Sequence, residues 1–269
     1  MAFTPSVGVI GCGSLGTAIL QGLLSAKEPK VRPSKILASV TSEASAAKLR
    51  EALPSVEVHK GENEVVAACD IVILACPPNL MSDVLGGLDK VLQGKLLISV
   101  LAGVSTESIK KVAGGAWVVR SLPNLAAAQQ ASATAVEDFD QDMPAEKVDL
   151  ATAVIEQFGG VVLLPASIMD ASTVVCGSTP AFIALFLDGL IDGAVAAGVP
   201  RNKANAMIAQ VMGSTTALLG EQKASELRES VCAMPGCTIQ GSIALEEGGV
   251  RGTAAKTMKM AIEAAKKLG

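Results

Sequence analysis

The chain has 269 residues, half of them hydrophobic, with aromatics at 2% and a formal net charge of −4. That length suits one or two domains with a sizeable core, and with Trp117 the single tryptophan and no tyrosine, that core is built from Ala, Val, Leu, Ile and Met. Nucleic-acid binding is set aside, because neither a basic surplus nor a set of stacking aromatics is present.

In chain order, Val7-Gly8-Val9-Ile10 reads as a short strand. The turn Gly11-Cys12-Gly13-Ser14-Leu15-Gly16 then opens a helix that runs through Leu24. A second strand over 35–40 precedes a helix over 43–53. A third strand over 56–58 precedes a helical 63–69, and 70–75 is the strongest strand signal in the chain. Strands over 96–100 and 117–120 follow, with a helix over 105–112 between them. Short apolar strands alternating with helices predict a parallel sheet covered on both faces. Beyond residue 165, Ala-rich segments of helical period replace strands. The first, over 180–197, has Thr179 as its cap and Pro180 in its first turn; others cover 202–219, 240–247 and 252–268. The expected fold is α/β: a doubly wound Rossmann-type domain over 1–165, then an all-α domain over 166–269.

Several chemistries are excluded by counting. His59 is the only histidine, no G-x-S-x-G elbow accompanies it, and a catalytic zinc site usually needs two or three histidines. His59 sits in a polar segment and reads as a surface residue. The six cysteines form no C-x-x-C pair. No leader is expected ahead of the first strand, so reduced thiols in the cytoplasm are the expected state. The long uncharged stretch between Asp170 and Asp188 contains Gly177-Ser178-Thr179-Pro180, which reads as a turn and a helix start rather than part of a membrane span. No metal site is expected.

The turn at Gly11, Gly13 and Gly16 matches G-x-G-x-x-G directly after a strand and at the opening of a helix, the context that gives the motif meaning. Its glycines allow a tight turn and close approach of a pyrophosphate, with Ser14 and Leu15 at the helix start supplying amides. A site for NAD normally ends the second strand with an acid that holds the ribose hydroxyls. Here Ser39, Thr41 and Ser42 stand in that place, and hydroxyls can donate to a 2′-phosphate, which favours NADPH, with NADH as the alternative. These hydroxyls also suit capping of the next helix. Ala75, Cys76 and Pro77 after the fourth strand, and Ala102 and Gly103 after the fifth, lie where a cofactor rests on an open α/β sheet. Cys76 has no base near it in sequence and reads as an inert thiol.

Three further segments resemble one family. Arg120-Ser121-Leu122-Pro123-Asn124 resembles the Arg-x-Met-Pro-Asn segment of pyrroline-5-carboxylate reductases. Asp170-Ala171-Ser172-Thr173, with Cys176-Gly177-Ser178-Thr179-Pro180-Ala181-Phe182, resembles their Asp-Ala-x-Thr and Ser-Gly-Ser-Gly-Pro-Ala-Tyr signature. Glu226-Leu227-Arg228, Thr238-Ile239 and Leu245-Glu246-Glu247-Gly248-Gly249-Val250-Arg251 resemble the C-terminal signature. The chain departs from the pattern at Leu122, at Thr179, at Pro77 (where the family has Lys) and at Ala233, which lacks a serine hydroxyl. The final threonine is kept as Thr238.

The resemblance implies NAD(P)H-dependent reduction of 1-pyrroline-5-carboxylate to L-proline. It adds Asn63 and Asn124 to the cofactor set. A cyclic imine protonates readily, so such an enzyme needs position and charge complementarity more than a strong acid. Thr238 is the expected catalytic donor to the substrate nitrogen. Backbone amides at Gly236, Cys237 and Thr238 are the expected carboxylate site, and Glu221 is a further partner for the nitrogen. Thr238 also suits a helix cap. In this family the helical half interleaves with a partner subunit, so a homodimer is expected, extended to a ring of dimers. The alternatives are a β-hydroxyacid dehydrogenase-like oxidoreductase, for which Lys203 and Lys223 lack the family's setting, and a non-catalytic NADP-binding regulatory protein.

Overall fold

The computed structural model describes residues 4–26, 30–232 and 236–266. Ala233, Met234 and Pro235 therefore lie outside the described residues.

The first of two compact units runs to Gly177 and includes the stretch from Ala261 onward. It opens with β1 (Val7–Ile10), α1 (Ser14–Ser25), β2 (Ile36–Val40), α2 (Glu43–Ala52), β3 (Glu57–Lys60) and α3 (Asn63–Ala67). Next come β4 (Ile71–Leu74), α4 (Met81–Leu85), α5 (Asp89–Leu92), β5 (Leu96–Ser99), α6 (Thr106–Lys110) and β6 (Trp117–Leu122). Then β7 (Ser132–Glu137), α7 (Ala145–Ile155), β8 (Gly159–Leu164) and α8 (Met169–Ser172) follow. The strands form one sheet in the order β3-β2-β1-β4-β5-β6-β7-β8.

Alternation along each strand builds two separate cores, because successive side chains point to opposite faces. Ile71, Ile73, Leu96 and Ile98 pack with Ile19, Leu20 and Leu23 of α1 and with Phe158 on one face. Val72, Leu74 and Leu97 pack with Val66, Leu85, Leu92 and Ile109 on the other. The sheet is thus doubly covered, as its apolar strands predict. It is not wholly parallel: β1 to β6 are, but β7 runs antiparallel to β6 and β8 parallel to β7. Sequence reading missed β7, α7 and β8. The Ser-Ala-Thr-Ala-Val-Glu strand carries little apolar signal, and β8 opens on Gly159, held at φ 141° against Ser132.

The second unit, Ser178–Met260, is helical: α9 (Thr179–Ala196), α10 (Arg201–Leu219), α11 (Ala224–Val231), α12 (Cys237–Glu247) and most of α13 (Val250–Ala265). The turn expected at 177–180 is absent. Thr173–Ser178 is π-helical and runs directly into α9. Ser172 and Thr173 donate their hydroxyls to the carbonyls of Ile168 and Met169, and such back-bonding competes with the regular α-ladder. Thr179 is the first residue of α9 rather than its cap; Ser178 holds the cap position and makes no side-chain capping bond. By length and composition, Ala166–Ala196 is apolar enough to cross a membrane. Within the chain, α9 buries only Ile191 and α10 only Ala204.

Candidate functional site

In the order β3-β2-β1-β4-β5, the connections diverge to either side of β1, so a crevice opens at the carboxyl ends of β1 and β4. A cleft of 470 Å³ lies there. Its floor is the turn after β1. Gly11 adopts φ 93°, and a Cβ there would lie 2.5 Å from the backbone nitrogen of Cys76. A Cβ at Gly16 would lie 2.5 Å from the Gly11 carbonyl oxygen. Both glycines are therefore demanded by the fold itself. Gly13 differs: its φ is −73° and a Cβ there would meet nothing within 4 Å. Nothing in the chain requires glycine at this exposed position, which lines the cleft.

Gly13 is also the N-cap of α1, has no side-chain capping bond, and no acid follows in the first turn. The amides at the helix start are left for an outside acceptor, in the positive end of the helix dipole. The residues present therefore fit a dinucleotide pyrophosphate.

The turn residues Gly11, Gly13, Ser14 and Leu15 line the cleft. So do Ser39 within β2, Thr41 just after it, and Asn63 of α3. Ala75, Cys76 and Pro77 close it from β4. Gly16, Ala102, Gly103 and Asn124 are not among its lining residues. Ser39 is 2% exposed, and its hydroxyl donates to the Asn63 side-chain oxygen at 2.6 Å. Its carbonyl accepts from the amides of Gly11 and Cys12. Ser39 thus fixes Asn63 and the glycine turn rather than presenting a free donor. Thr41 is exposed, and Ser42 caps α2, accepting from the Ser45 amide.

Sequence reading missed Ser45, Leu80 and Val84, which also line the cleft. Leu80 and Val84 stand one turn apart after the Pro77-Pro78 pair, and that spacing was the available signal.

Two thiols face this cleft. Burial pushes Cys12 up to about 12 and Cys76 up to about 11. Both are neutral at physiological pH, which removes them as nucleophiles.

His59, on the edge strand β3, is not simply a surface residue: its side chain is 16% exposed and lies between Glu62 at 2.6 Å and Glu57 at 2.9 Å. The hydrogen bond with Glu62, then that with Glu57, raises its pKa against an opposing effect of burial.

The substrate candidates lie in the helical unit. Gly236 is the N-cap of α12, in extended conformation and without a side-chain capping bond. Cys237 and Thr238 are the first two helical residues and are exposed. Thr238 is therefore not a cap. Glu221 is exposed in the turn after α10. A 480 Å³ hollow between α11 and α12 is lined by Arg228, Cys232, Ile239, Ser242, Ile243 and Glu246, among others. Glu246 lies 3.6 Å from Arg228 and 3.7 Å from Arg251, tying the C-terminal signature segments together.

Comparison with known proteins finds two family models that match separate parts of the chain. Residues 6–103 match a family described as NADP oxidoreductase, coenzyme F420-dependent. Residues 166–268 match pyrroline-5-carboxylate reductase dimerisation. A pyrroline-5-carboxylate reductase of Lophium arboricola is 39% identical, over 98% of this chain and 93% of its own. This chain belongs to the pyrroline-5-carboxylate reductase family. A second family member, from Neurospora crassa, is 35% identical over 98% of this chain and 93% of its own. The fold is shared with a crystal structure of the Plasmodium falciparum pyrroline carboxylate reductase with NADP bound. That structure has a TM-score of 0.85 at 21% identity and 98% coverage of both chains. The membrane-length run Ala166–Ala196 falls inside the dimerisation match.

Proposed function

We propose that this chain reduces 1-pyrroline-5-carboxylate to L-proline, the last step of proline biosynthesis, with NADPH as the preferred reductant and NADH as the alternative. The observation that carries the reading is the near full-length identity to proteins named pyrroline-5-carboxylate reductase. The cleft beside β1 supports it, because Gly13 lines it at the uncapped start of α1, where a side chain would take up room that a ligand can fill.

The amides of Gly13, Ser14 and Leu15 hold the pyrophosphate. Thr41 and Ser45 face the 2′-phosphate, with no acid at the end of β2 to repel it. Ser39 orients Asn63, and Ala75, Cys76, Pro77, Ala102 and Gly103 flank the cofactor along the strand ends. Bound there, the reduced nicotinamide supplies a hydride. The uncapped start of α12, at Gly236, Cys237 and Thr238, holds the substrate carboxylate. The imine takes its proton from solvent, the Glu221 carboxylate faces the resulting iminium, and the Thr238 hydroxyl donates to the ring nitrogen as its lone pair returns on reduction. We place the functional boundary at 165/166, with the second part forming a homodimer and, beyond it, a ring of dimers in the cytoplasm.

The test is the loss of NADPH absorbance on adding pyrroline-5-carboxylate to the purified protein. Loss that depends on both substrate and protein supports the reading; a protein that binds NADPH and never consumes it supports the regulatory alternative.

A further inference from the structure

Asn124 ends the Arg120-Ser121-Leu122-Pro123-Asn124 segment, and every polar group it carries is already bonded within the chain. Its amide donates to Ser132 Oγ at 2.9 Å. Its side-chain oxygen accepts from the Ala126 amide at 3.0 Å. Its side-chain nitrogen donates to the carbonyl of Cys176 at 2.9 Å. It is 9% exposed and is not among the lining residues of the cofactor cleft.

The carbonyl it reaches is a special one. Cys176 lies in the π-helical stretch just before α9, and the α-helical partner for its carbonyl would be the N–H of residue 180, which is proline and has none. The Asn124 side chain supplies the donor that Pro180 lacks. Four residues earlier in the chain, Arg120 makes a second tie. Its guanidinium is 4% exposed and donates to Asp170 at 2.7 Å, with Glu137 3.7 Å away. Arg120 and Asn124 thus grip the Met169–Ser178 turns at two points. Those turns include the π-helical stretch, a conformation that is rare and concentrated at functional sites. Through them the chain leads into α9.

Building on the proposed reductase activity, we propose that Asn124 and Arg120 are positioning residues. Asn124 completes the helical ladder that Pro180 interrupts, Arg120 anchors Asp170, and together they fix the register of Met169–Ser178 on the sheet. Neither touches the cofactor.

The discriminating variant is Asn124→Asp, which keeps the acceptor for Ala126 and loses the donor to Cys176. Three readouts apply to the full-length protein. Amide hydrogen exchange in peptides covering 169–178 rises, while β1 to β5 stay protected. The NADPH dissociation constant stays within about twofold, and kcat/KM for pyrroline-5-carboxylate falls about tenfold or more, as small misplacements do. Adding Pro180→Ala, which restores the backbone donor, recovers part of that loss, an outcome that general destabilisation would not give. If Asn124→Asp does not fold, Asp170→Asn, at a half-exposed side chain, is read in the same way. Unchanged exchange at 169–178, or NADPH affinity reduced tenfold with exchange unchanged, overturns the proposal. A wild-type protein that reduces no pyrroline-5-carboxylate overturns the functional reading instead, and the exchange readout still decides the clamp.

Discussion

Gly11 and Gly13 lie two residues apart and carry opposite expectations. Gly11→Ala puts a Cβ into the Cys76 backbone at a positive φ and should destabilise the fold by more than about 3 kcal/mol in a denaturant titration. Gly13→Ala meets no atom of the chain, so stability should stay within about 0.5 kcal/mol while NADPH affinity falls at least about tenfold. Unchanged affinity would remove the pyrophosphate from this turn. The glycine motif was fully legible in sequence because its meaning lies in spacing after a strand. The role of Ser39 was not. Its hydroxyl is taken up by Asn63, so the exposed Thr41 is the hydroxyl we propose for a 2′-phosphate. Thr41→Asp should therefore swing preference from NADPH toward NADH, read as the ratio of kcat/KM values; an unchanged ratio would place the 2′-phosphate elsewhere. Thr238→Ala should lower kcat about 100-fold, close to 2.7 kcal/mol, and leave NADPH binding intact, as loss of one transition-state donor does. Unchanged turnover would remove Thr238 from the chemistry.

The elements divide by the strength of their local signal. The strands β1, β2, β4 and β5 are continuous apolar runs buried on both faces, and each was legible within a residue or two. The antiparallel β7 and the glycine-opened β8 were not, because their places are set by pairing with β6 and with each other. The π-helical stretch was misread as a turn, since Gly177 and Pro180 are turn residues in isolation and the side chain that reaches the Cys176 carbonyl, Asn124, is distant in sequence. The edge strand β3 gives a pH prediction. His59 has its pKa raised above 6.5 by Glu62 and Glu57. Its contribution to stability is therefore full below 6.5, until the carboxylates themselves protonate, and is lost as pH rises through the folded value. The stability gap between the wild type and His59→Gln should be widest in mildly acidic buffer and close at alkaline pH. A gap that does not change with pH would show that the His59 charge is not held by its glutamates.

The helical half carries its apolar surface outward within one chain, with Leu185 77%, Phe186 42% and Leu190 41% exposed. A helix that is apolar on several sides must bury several sides, and the dimerisation match over 166–268 supplies the partner. Composition alone suited a packed dimer or a monomeric bundle, and the family match favours the dimer. The double variant Phe186→Asp with Leu190→Asp should lose association in light scattering and lose activity in parallel; full activity from a monomeric species would sink the shared assembly. The central claim, hydride transfer to a cyclic imine, is tested most directly with NADPH deuterated at the transferable position of C4. Incubated with this protein and pyrroline-5-carboxylate, it should give L-proline bearing the deuterium on the ring carbon beside the nitrogen that was the imine carbon. Unlabelled proline, or no proline while the protein binds NADPH, would contradict it.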